Sequence, residues 1–140
     1  MTKIKENKFF EETQYVDGVP YTCKLCDIEH TDLEFWLDNP RFYETIRKEF
    51  GDQDILQEDI YNFYTSTKVP EQSTLLQLIK KDGGVNDRLI VKFNSETKKY
   101  TVHEGNTRLA CIRQILKNKL INDFPKKVKV MELPEDFSDE

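Results

Sequence analysis

The run Val102-His103-Glu104-Gly105-Asn106-Thr107-Arg108-Leu109-Ala110 gathers groups that handle phosphate. Tyr100, Thr101 and Val102 favour an extended strand, and Gly105 breaks it. Asn106 or Thr107 is placed to cap a helix whose Leu109, Ile112 and Leu116 recur at helical spacing. A strand that yields to a helix at a glycine presents N–H groups without helical partners and the positive end of the helix dipole. Both attract an anion, most often a phosphate. Arg108 adds a planar donor fork in the first turn, and Thr107 adds a hydroxyl that can bond a phosphate oxygen or cap the helix. Glu104 brings a carboxylate able to hold Mg²⁺ or a metal-bound water beside a phosphate, and is the catalytic candidate. The plainer alternative is a β-to-α turn in which Arg108 pairs with a surface carboxylate.

Three further groups invite chemistry. Asn39 and Arg41 flank a proline, and Arg41 either reaches the same phosphates or pairs with Glu44 or Glu49. His103 precedes Glu104 and has acid–base capacity, but alternation along a strand turns the two to opposite faces, so a structural or surface histidine is expected. Cys23 and Cys26, followed by His30, resemble half a zinc site. No second close pair completes four ligands, and residues three apart on a strand diverge, so buried thiols are expected and no metal site is assigned. The aromatic group Phe35, Trp36, Phe42, Tyr43 and Phe50 is expected in the core rather than as a base-stacking platform.

These residues must be positioned by a chain of 140 residues, long enough for one self-supporting core. Apolar residues at 37% and charged residues at 34% point to a folded, polar-surfaced protein, and no apolar run approaches about 18 residues, so no membrane partner is expected. Three cysteines and a charged N-terminus without an apolar run imply a cytoplasmic location. A formal charge of −5 argues against the whole surface as a nucleic-acid binder. The lysines at 117, 119, 126, 127 and 129 read as a solvated helix end and edge strand.

Along the chain, residues 9–28 read as β, with a hairpin turn at Asp17-Gly18 and one face at Tyr21, Cys23 and Leu25. A helix follows Pro40, with Phe42 or Tyr43, Ile46 and Phe50 as its stripe and Gly51 as its end. Leu56, Ile60 and Phe63 mark a second helix near 53–65. Leu75, Leu76 and Ile79 mark a third, from Pro70 to Gly83-Gly84. Leu89, Ile90, Val91 and Phe93 form a buried strand, residues 99–103 return as another, the motif helix covers about 106–119, and Val128, Val130 and Met131 give a last strand. The expected class is α+β, helices packed around a small mixed sheet.

Three landmarks in order resemble the ParB/sulfiredoxin-like superfamily, specifically the N-terminal domain of ParB-like proteins. They are Leu37-Asp38-Asn39-Pro40-Arg41; Leu78-Ile79 through Gly83-Gly84 to Leu89-Ile90-Val91; and Val102 to Ala110. The resemblance covers roughly residues 30–133 and is most specific over Glu104–Ala110. It implies a ParB/sulfiredoxin-like fold at 30–133, preceded by a β extension at 1–29. The acidic stretch 134–140 would link to a further C-terminal region. It also implies that Gly105, Asn106, Thr107 and Arg108 contact nucleotide phosphates and that Asn39 and Arg41 close the pocket. The ligand would be a nucleoside triphosphate with Mg²⁺, hydrolysed slowly if at all, and the bound state would control a DNA-acting domain or partner. Relatives include nucleotide switches, kinases and proteins labelled nucleases, so a metal-dependent nuclease and a non-catalytic DNA or protein adaptor stand as alternatives. Sulfiredoxin chemistry is excluded, because Asn106 stands where its catalytic cysteine would be and Cys111 lies a turn further on. Asn106-Thr107 and Asp87-Arg88 depart from partition ParB proteins, so no preference for CTP carries over.

Overall fold

A computed structural model describes residues 10–16, 18–39, 42–51, 53–85 and 87–134. The strands are β1 (Phe10–Val16), β2 (Val19–Glu29), β3 (Leu33–Phe35), β4 (Leu89–Asn94), β5 (Lys99–Glu104) and β6 (Lys127–Glu132). The helices are α1 (Tyr43–Phe50), α2 (Gln57–Tyr64), α3 (Pro70–Asp82) and α4 (Asn106–Asn118), and one 3₁₀ turn covers His30–Asp32. The expected α+β class holds.

The strands form one mixed sheet in the order β1-β2-β6-β4-β5-β3. β1 with β2, β2 with β6, and β4 with β5 run antiparallel; β4 with β6 and β3 with β5 run parallel. The N-terminal hairpin is therefore continuous with the rest of the sheet through β6. One face carries Leu33, Phe35, Leu89, Val91, Val102, Val128 and Val130, all buried, against Ile60, Leu76, Ile79, Leu109, Ile112 and Ile115 of the helices. This is the two-layer arrangement that period-2 strands and period-3.6 helices allow.

Local signals explain most boundaries. Pro70 opens α3, where its missing N–H costs no helical bond, and Gly83 closes that helix in the left-handed region at φ +77°. In α1, Ile46 is buried and Phe42 packs against the core, whereas Tyr43 is exposed and meets the Arg47 guanidinium at 5.8 Å. Pro40 and Arg41, Asp17 of the expected hairpin turn, and the acidic residues after Pro134 lie outside the described residues.

Three elements differ from the sequence reading. β6, expected from its lysines as an edge strand, lies inside the sheet between β2 and β4, with Lys127 and Lys129 exposed. Phe93 is 41% exposed and packs edge-on to Tyr100 at 5.2 Å, so the fully buried part of β4 ends at Val91. β3 was not expected at all. Its three residues, all buried, are too few to show a period, and its centre is a glutamate. Glu34 is accommodated because Thr101 Oγ1, Thr97 Oγ1 and Asn94 Nδ2 donate to one carboxylate oxygen at 2.7, 3.1 and 3.2 Å.

Candidate functional site

Gly105 makes the corner where β5 passes into α4. Its backbone is left-handed, at φ +107° and ψ 21°, and a Cβ there would lie 2.8 Å from Leu89 Cγ in the core. Only glycine meets both demands. The corner is thus seated directly on β4, and the first-turn N–H groups of α4 have no intrahelical acceptor.

Asn106 is almost fully buried. Its Nδ2 donates to the Val102 carbonyl at 2.8 Å, and its Oδ1 accepts from the Trp36 N–H at 3.1 Å. The side chain ties β5 to the end of β3, and both ends of its amide are engaged in doing so. The expected side-chain cap is corrected: Gly105 is the N-cap, and neither Asn106 nor Thr107 makes a cap bond. The left-handed glycine sets the entry direction of the chain, and the Asn106 amide is spent on the sheet.

Arg108 meets Asp87 Oδ2 at 3.2 Å through Nη2, an ion pair in which Asp87 is 75% exposed. A pair so open to solvent holds the guanidinium weakly. Beside it lies a cleft of about 390 Å³ lined by Glu104, Gly105, Asn106, Thr107 and Arg108 on one wall. Glu71, Thr74, Leu75 and Leu78 of α3 form the other. The structure therefore brings together five of the seven expected site residues. Asn39 is not among them: its Nδ2 donates to the Tyr64 hydroxyl at 3.3 Å, and it does not line the cleft. Arg41 lies outside the described residues.

The α3 wall was not foreseen. Glu71 is a second carboxylate in the cleft, and Leu75 with Leu78, the latter 52% exposed, offers an apolar surface. Leu78 lies off the Leu75, Leu76 and Ile79 stripe, but its position alone does not say which element it faces. The charged lining is Arg108 against Glu71 and Glu104, so a bare polyanion meets repulsion and a cation-bound one does not. Among the described residues no group of three or more His, Cys, Asp and Glu is placed to hold a metal. Glu104 and Glu71 can supply only part of a Mg²⁺ coordination sphere, and phosphate oxygens and water would have to supply the rest.

No protein-family model, curated protein or solved structure matches the chain.

The remaining sequence candidates fall elsewhere. His103 faces away from Glu104, as alternation demands, and stacks on Trp36 with ring centroids 4.3 Å apart. Cys111 is fully buried, its Sγ donates to the Gln72 carbonyl at 3.4 Å, and burial pushes its thiol up to about 12. Cys26 is also raised, first by burial and then by Glu132 and Asp27. Both shifts disfavour the reactive thiolate. Of the aromatic group, Phe35 is in the core and stacks on Tyr64, whereas Trp36 and Tyr43 are not core residues. Among the described residues no helix is long and apolar enough to cross a membrane.

Proposed function

We propose that this chain is a ParB-like nucleotide-binding module of the ParB/sulfiredoxin-like superfamily, whose ligand-bound state controls a DNA-acting domain or partner. The reading is carried by one observation: a left-handed glycine opens a helix N-terminus, with Thr107 and Arg108 in its first turn, onto a cleft of nucleotide-fragment size. The phosphates take the first-turn N–H groups and Arg108, which exchanges the exposed Asp87 for a stronger charge partner. Leu75 and Leu78 face the sugar or base. Glu71 and Glu104 make Mg²⁺ obligatory for binding, since they balance the metal rather than the phosphate. Glu104 is the residue placed to orient a water if the ligand is hydrolysed.

Isothermal titration with ATP, CTP, GTP and ADP, each with Mg²⁺ and with EDTA, tests the proposal. Saturable heat with at least one magnesium nucleotide, lost in EDTA and weakened about tenfold or more in Arg108→Ala, is the expected result. No heat with any nucleotide, or an unchanged affinity in Arg108→Ala, would overturn it.

A further inference from the structure

The C-terminal half of α4 forms a second concave surface with different chemistry. A groove of about 450 Å³ lies between α2, α4 and the 3₁₀ turn, with Arg113, Lys117 and Lys126 against a single carboxylate, Glu58. In a chain of net charge −5 this is a local inversion of sign. Tyr61 and Leu116 supply its apolar lining.

Arg113 is the anchor. Its Nη2 donates to the carbonyls of His30 at 3.0 Å and Leu33 at 2.5 Å, and its guanidinium lies 5.2 Å from the Phe35 ring centroid. Two carbonyls use both protons of Nη2, leaving Nη1 and Nε without a protein acceptor among the described residues. The His30 Nδ1 is the one buried side-chain nitrogen or oxygen without a partner among the described residues, so these donors are not sealed from solvent, and Arg113 lines the groove. No carboxylate among the described residues pairs with Arg113, Lys117 or Lys126. Lys117 instead rests 5.4 Å from the Tyr61 ring centroid. A partly buried guanidinium whose charge is offset only by dipoles and a ring gains from an incoming anion.

We propose that this groove is a binding site for a small organic anion, with a carboxylate or phosphate group against Arg113, Lys117 and Lys126 and a flat apolar body against Leu116 and Tyr61. The site is independent of the cleft at Gly105. It uses residues 58 to 61, 113 to 117 and 126, brought together only by the fold.

The test is an amide-resolved NMR titration with 1-naphthoate, its neutral isostere 1-naphthalenemethanol, and inorganic phosphate. Naphthoate should shift amides of residues 57–61 and 113–117 saturably, and the alcohol should bind at least about tenfold more weakly. The double variant Lys117→Gln, Lys126→Gln, made at exposed positions, should lose about tenfold in naphthoate affinity while keeping a dispersed spectrum. Lys117→Arg should retain it. Equal binding of acid and alcohol, phosphate binding as tightly as naphthoate, shifts centred on residues 105–108, or no saturation would each overturn the assignment.

Discussion

The two ends of α4 handle cations in opposite ways. At its entrance Arg108 already has Asp87, the Asn106 amide bridges Val102 and Trp36, and two glutamates share the cleft. In its second half Arg113 has only carbonyls and a ring, and Lys117 and Lys126 have no carboxylate among the described residues. The entrance carries a glycine turn with Thr107 and Arg108 behind it but has turned Asn106 to structural use. The later groove has no motif, yet keeps its charge available. A residue type in a motif marks a place in the fold; its free hydrogen-bonding capacity decides what it can bind.

The sharpest way to break this contrast is Gly105→Ala. Strained backbone and a Cβ 2.8 Å from Leu89 Cγ should cost about 3 kcal/mol, read as a shift in urea midpoint. A cost near zero would mean that the corner is not seated on β4. Asn106→Ala should cost about 2 kcal/mol in the same measurement, because it strands the Trp36 N–H and the Val102 carbonyl. Thr107→Ala, which removes no cap bond, should cost well under about 1 kcal/mol. An equal loss in the two variants would contradict the structural role given to Asn106.

The groove end predicts a pH effect. Burial, and then Arg113, hold the His30 imidazole below its ordinary 6.5, with Lys126 adding to the shift and Glu29 opposing it. The unfolded chain therefore takes up this proton at a higher pH than the folded one. The associated stability is complete above about 6.5 and falls as pH drops through that value, levelling off below the depressed folded value. Thermal melts from pH 7.5 to 5 should show a shallower loss in His30→Asn than in the native sequence. Identical slopes would contradict the lowered proton affinity of the folded imidazole.

The smallest expected change sharpens the entrance. Asp87→Asn should alter stability by less than about 0.5 kcal/mol, since the pair is exposed. It should nevertheless raise magnesium-nucleotide affinity by freeing Arg108. Weaker binding in that variant would show that Asp87 belongs to the ligand site instead.

Much of this was legible in the chain. The Gly105 break, the Leu109, Ile112 and Leu116 stripe and the Pro70 start sit where spacing and backbone preference put them, because each is a local effect. β3 was hidden because three residues carry no periodicity and Glu34 reads as surface until Thr97, Thr101 and Asn94 are folded around it. The α3 wall of the cleft and the groove at Arg113 were hidden for the same kind of reason. They are made by residues distant in sequence, and no local pattern encodes which helix faces meet.

The proposed phosphate site is the first turn of α4. Amide chemical shifts of Thr107 and Arg108 during titration with magnesium nucleotide test it most directly. Large, saturable shifts confined to Gly105–Arg108 and the Glu71–Leu78 wall are expected. Shifts that leave those amides unmoved while binding proceeds elsewhere would contradict it.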